Sequence, residues 1–166
     1  MPHNPLITNN LIDSCAFDPA PEAEAEAANE IFALAEAGHF QLAIPHSTLR
    51  EIEHPNTPAA VKRMAANHQY TIPVAQSPDE TRIQSEILRI LAGNGRPEPM
   101  QRDTENVFEA QKYGGHFITN DRRVLARADQ IYALCGLSLV KPTAFLAIVR
   151  KAMGDASCPH ARGRRS

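Results

Sequence analysis

Short apolar runs alternate with helix-like segments along almost the whole chain, and this rhythm limits the fold more than any other feature. The runs are Leu6 to Ile12, FQLAIP (40–45), HFIT (116–119) and LSLV (137–140), with YTIPVA (70–75) as a weaker strand because Pro73 suits an edge. Between them lie segments of helical period. One starts at Asp18-Pro19, with Asp as N-cap, and ends at Gly38. Others begin near Ser47 or Thr48, cover AAVKRMAANHQY, and span residues 78–92, where Ile83, Ile87, Ile90 and Leu91 share a face. Three more are expected over about 100–113, over RRVLARAD, and from Pro142 onward. Strands alternating with helices predict an α/β domain with a mainly parallel sheet and helices on both faces. In such sheets ligands bind beyond the carboxyl ends of the strands, so polar residues just after the strands are the ones to weigh.

The chain is 166 residues long, the size of one domain, and 43% hydrophobic with 22% charged residues, which is globular composition. A formal charge of −2 argues against a broad basic footprint for nucleic acid but leaves room for a local patch. Three cysteines (Cys15, Cys135 and Cys158) with no CxxC pair read as reduced thiols. The start, MPHNPLITNN, lacks the basic and apolar regions of a signal peptide, and no run nears the ~18 apolar residues of a membrane span. A soluble, cytoplasmic protein is expected, with residues 1–153 folded and 154–166 a mobile basic tail carrying Arg162, Arg164 and Arg165.

Two acids follow strands directly: Asp13 in LIDSCAFD and Asp121 in HFITND. A parallel sheet brings both to one edge although they lie over a hundred residues apart. Glu51, in IPHSTLREI, and Asp103, in RDTENVFEA, are expected on helices. Each has an ordinary structural role to weigh against a functional one. Asp121 is placed to cap the next helix, Glu51 stands at capping-box spacing from Thr48, Asp103 fits a solvated first turn, and Asp13 suits a turn.

Taken together, the four acids resemble the PIN-domain nucleases, a family that includes the VapC-like toxins. LIDSCAFD resembles that family's opening strand with its first Asp, and STLREI the element that carries its Glu. DTENVFEAQKYGGHFITNDRRVL is similar to the block holding its third and fourth acids, with Asp103 seven residues before Ala110 and a strand ending in Thr119-Asn120-Asp121. GLSLVKPTAFL resembles the closing strand, proline and helix, so the likeness runs in order from residue 6 to about 150 and is weakest over 55–99. Glu51 and Glu53 compete for the second acid; STLRE followed by Ile52 favours Glu51.

The resemblance implies a three-layer α/β/α PIN-like fold and an endoribonuclease that hydrolyses RNA phosphodiester bonds. It also implies a homodimer and, for the toxin group, an antitoxin protein as partner. Crowded carboxylates repel unless a cation intervenes, and an oxygen-only donor set selects Mg²⁺ or Mn²⁺ over Zn²⁺. Asp13, Glu51, Asp103 and Asp121 are therefore the expected metal-holding catalytic residues, with Thr119 orienting them and Arg122 and Arg123 meeting RNA phosphates. A housekeeping RNA-processing nuclease, a non-catalytic RNA- or protein-binding module of the same fold, and a small-molecule hydrolase are the competing readings. The sequence offers no HExxH zinc motif, GxSxG elbow or phosphate-binding glycine loop. His46 is read as a surface or capping residue and Cys15 as a small buried filler.

Overall fold

The computed structural model describes residues 3–157. Four short strands, β1 (Asn9–Ile12), β2 (Gln41–Ala43), β3 (His116–Ile118) and β4 (Ser138–Val140), form one sheet. Their order is 2-1-3-4 and every neighbouring pair is parallel. The connection from β1 runs to one side and that from β3 to the other, so the strand order reverses between β1 and β3. That reversal is where open parallel sheets form a crevice at their carboxyl ends.

The helices are α1 (Glu22–Glu36), α2 (Ala59–Ala66), α3 (Pro78–Ala92), α4 (Gln101–Tyr113), α5 (Arg122–Leu125), α6 (Ala128–Cys135) and α7 (Pro142–Ser157). Alternation along the central strands divides the core in two. Ile12 and Ile118 join Ile31, Met64 and Phe145 on the face covered by α1, α2 and α7. Leu11 and Phe117 join Ile87, Val107 and Ile131 on the face covered by α3, α4 and α6. The α/β expectation holds, with all strand pairs parallel.

Asn10 anchors the start of β1 from a fully buried position. Its amide nitrogen donates to Pro5 O (2.9 Å), Thr8 O (3.1 Å) and Gln41 O (2.9 Å). Its Oδ1 faces His116 Nδ1 at 3.0 Å, and because a carbonyl oxygen only accepts, that imidazole nitrogen carries the proton. Burial holds the His116 pKa down at about 4, with His3 adding to the shift, so the ring is neutral near pH 7.

Several boundaries differ from the sequence expectation. Asp18 does not cap the first long helix; it closes a 3-10 turn, Ser14–Phe17, through its N–H to Cys15 O (3.2 Å). Ala20 lies before Pro21 and is sterically kept from the helical region, so α1 starts only after Pro21. Residues 70–75 form no strand. Ile44 and Tyr70 make a single bridge, after which Pro73 has no N–H to offer and Ile72 and Val74 point largely into solvent. The segment near Ser47 is a 3-10 helix, His46–Glu51, and RRVLARAD is split between α5 and α6. The last helix continues to Ser157, so residues 154–157 extend it rather than begin a tail. Cys158, Arg162, Arg164 and Arg165 lie outside the described residues. No helix among the described residues is long and apolar enough to cross a membrane.

Candidate functional site

The carboxyl ends of β1 and β3 open into a cavity of about 920 Å³ whose lining includes Asp13, Glu51, Asp103 and Asp121. Asp13 leaves β1 as the residue before a 3-10 turn, and its N–H still donates to Ile118 O of β3 at 2.8 Å. The two central strands therefore fix its backbone. Thr119, fully buried just after β3, joins the two strand-end acids. Its hydroxyl donates to Asp13 Oδ2 (3.0 Å) and accepts from the Asp121 N–H (3.1 Å). Thr119 thus makes a direct hydrogen bond to the side chain of one acid and to the backbone of another.

The Cys15 thiol donates to the same Asp13 oxygen at 3.2 Å. Burial pushes that thiol up to about 12, with the neighbouring Asp13 charge adding to the shift. Cys15 is therefore a protonated hydrogen-bond donor to the site, more than the filler read from the sequence. The Asn120 amide holds the turn beneath by donating to Cys15 O and Ala16 O, each at 3.4 Å.

Asp121 does cap a helix: its Oδ1 accepts from the N–H groups of Arg123 (2.8 Å) and Val124 (3.4 Å) at the start of α5. This capping leaves Oδ2 to the Arg123 guanidinium alone, at 3.1 Å. The same Arg123 nitrogen lies 3.4 Å from Asp103 Oδ2, so one cation spans two carboxylates that are 17% and 20% exposed. The structural role and the candidate functional role use different oxygens of Asp121.

The electrostatics mark these acids as one group. Burial raises the Asp13 pKa, and the Asp121 charge raises it further, against hydrogen bonds from Cys15 and Thr119 that lower it. Burial also raises Asp103, followed by repulsion from Asp121 and, more weakly, from Asp13. Asp121 itself is lowered: burial acts upward, but the hydrogen bonds and charge of Arg123 prevail.

Glu51 lines the same cavity but stands apart from this trio. It ends the 3-10 helix and pairs with Arg102, whose charge also acts on Asp103. It makes no capping box with Thr48, because the segment is a 3-10 helix that begins after Pro45, with Thr48 buried inside it. Glu53 lies beside a different depression, with Leu49 and Lys62, so of the two competing glutamates it is Glu51 that lines the acidic cavity. Arg122 and Arg123 both line the acidic cavity. His46 serves through its backbone, donating to Glu109 Oε2 (2.5 Å) and Thr71 Oγ1 (2.8 Å), which ties the 3-10 helix to α4.

Arg102, Asn106 and Asn120 also line the cavity and were not singled out from the sequence. Asn106 is buried and accepts the Ser47 hydroxyl through Oδ1. It lies three residues after Asp103, on the same helix face, and that spacing was the available signal.

Among the described residues no three carboxylate, imidazole or thiol groups already stand close enough to hold an ion between them. The donor chemistry nevertheless fits a hard divalent cation. The acids are partly desolvated, they repel one another, and a cationic side chain already bridges two of them. A scan against protein-family models finds no match, and comparisons with curated proteins and with solved structures find no significant match either.

Proposed function

We propose that this chain is a PIN-like, Mg²⁺- or Mn²⁺-dependent endoribonuclease. The observation that carries the reading is the convergence of Asp13, Asp103 and Asp121 on one cavity at the strand-order reversal, with the Asp121 charge raising the pKa of both other acids. Asp13, Asp103 and Asp121 would hold the ion, with Glu51 able to join them from the rim. When bound, such an ion supplies an activated water nucleophile and neutralises charge developing on the phosphoryl group. Thr119 keeps Asp13 oriented, and the backbone N–H groups of α5 keep Asp121 oriented, so neither carboxylate relies on substrate to find its place. Arg122 and Arg123, on the first turn of α5, offer phosphate contacts beside the acids. RNA, rather than another phosphodiester, follows from the likeness of the acid-bearing segments to the PIN family.

Asp13→Asn and Asp121→Asn are expected to abolish Mn²⁺-supported cleavage of single-stranded RNA while keeping a cooperative thermal transition. Retained cleavage in both variants refutes the assignment. One second reading has its own observation. Every acid of the group is satisfied internally, by Thr119 and Cys15, by Arg123, or by Arg102, as in a binding module without catalysis. A Mn²⁺ titration separates the two, because only the enzyme gains melting temperature with the ion.

A further inference from the structure

The Arg123 guanidinium occupies the position where a cation would neutralise Asp103 and Asp121. Its contacts are loose ones. The side chain is 62% exposed, and its carboxylate distances are 3.1 and 3.4 Å through Nη2 and 3.4 Å through Nε. Exposed pairs of this kind are weak, so releasing the side chain costs little. Release also leaves the acids in place. Asp121 Oδ1 stays fixed by two backbone N–H groups, and Asp103 sits on a helix of thirteen residues. The oxygens set free would be Asp121 Oδ2 and Asp103 Oδ2, on either side of the guanidinium. Arg122, one residue earlier on the same cavity wall, makes no ion pair among the described residues.

We infer that Arg123 is an exchange residue: counter-ion to Asp103 and Asp121 without metal, and ligand of a substrate phosphate once a divalent cation takes those oxygens. This rests on the metal-dependent reading above and adds a coupling between metal and nucleic acid. Metal and phosphate no longer compete through Arg123; each releases what the other needs. Linkage then requires that Mn²⁺ tighten nucleic-acid binding by the same factor by which nucleic acid tightens Mn²⁺. Two exposed ion pairs exchanged in this way correspond to a coupling of about two- to thirtyfold.

The test measures anisotropy of a labelled 2′-O-methyl phosphorothioate oligonucleotide, with and without Mn²⁺, alongside calorimetric Mn²⁺ titration of the full-length protein. Wild type, Arg123→Gln and Arg122→Gln are compared. Arg123→Gln should bind Mn²⁺ more tightly alone and the oligonucleotide more weakly with Mn²⁺ present, so that the coupling factor falls from its wild-type value toward one. Arg122→Gln should weaken the oligonucleotide equally with and without Mn²⁺ and leave the factor unchanged. Simple charge screening predicts the opposite for Arg123→Gln, since two uncompensated carboxylates would make the ion's effect larger. A coupling factor equal to or greater than wild type in Arg123→Gln therefore overturns the exchange and leaves the metal site standing. Absence of Mn²⁺ binding to wild type overturns both.

Discussion

Asp13→Asn removes a charge while keeping the side-chain shape, so it separates what Asp13 contributes to stability from what it costs. In the folded protein the net direction of its pKa is upward: burial and the Asp121 charge outweigh the Cys15 and Thr119 hydrogen bonds. A carboxyl group raised in this way binds its proton more tightly when folded than when unfolded. The resulting penalty is absent below the ordinary value of 3.8, grows as pH rises toward the folded value, and is complete above it. The amide carries no charge and so escapes the penalty. It can still turn its oxygen toward Thr119, keeping that hydrogen bond in a weaker, neutral form.

The balance favours the variant at pH 7.5 in EDTA, seen as a melting temperature above that of wild type. The gain should vanish as pH falls below the ordinary carboxylate range. Excess Mn²⁺ should invert the order, since wild type gains about 2.7 kcal/mol at one hundred times its Kd and the variant does not. Paired thermal melts at pH 7.5 and pH 3.5, each with EDTA, and at pH 7.5 with Mn²⁺ read all three outcomes. A variant less stable than wild type at pH 7.5 without metal would refute the reasoning, because Asp13 would then be a structural acceptor rather than a charge held in readiness.

His116 has its pKa held down at about 4, so the unfolded chain takes up a proton first as pH falls. Stability is full above about pH 6.5 and should fall by about 3 kcal/mol on going below pH 4 from this residue alone; its imidazole titration followed by NMR is the check. Gly114→Ala would place a Cβ 2.6 Å from Asn9 O and 2.9 Å from the Leu11 side chain, pushing the end of α4 off β1. A loss of about 1–3 kcal/mol, read from the urea midpoint, is expected.

Where local chemistry decides structure, the sequence was readable in detail. Residues 78–92 were expected as a helix and form α3, held at its start by Ser77 and Glu80 in a reciprocal capping box with Pro78 in the first turn. Asp13 and Asp121 were legible as neighbours because the turns that leave adjacent parallel strands, one residue after β1 and three after β3, emerge at the same sheet edge. The strand expected at 70–75 failed for a local and a non-local reason together: Pro73 has no N–H for a ladder, and beyond one bridge to Ile44 nothing covers Ile72 and Val74. Ala20 shows a local signal that was present but outranked, as the second proline cancelled the helix start offered by Asp18-Pro19. The ion pairs of Arg102 and Arg123 were beyond reach, because a long side chain chooses its partner only after the backbone has brought distant acids together.

The four acids are mounted on very different supports. Asp13 and Asp121 grow from the two innermost strands, where Thr119 and the backbone of Ile118 lock them. Other parts of the cavity lining come from outside the sheet: His54, Asn56, Thr57 and Pro58 from the irregular segment before α2, and Pro99 from a short 3-10 helix before α4. Sequence drift in those segments can reshape what the cavity admits while the strand-end acids stay untouched, so descendants of this chain are free to trade one bound molecule for another without rebuilding the sheet that carries the acids.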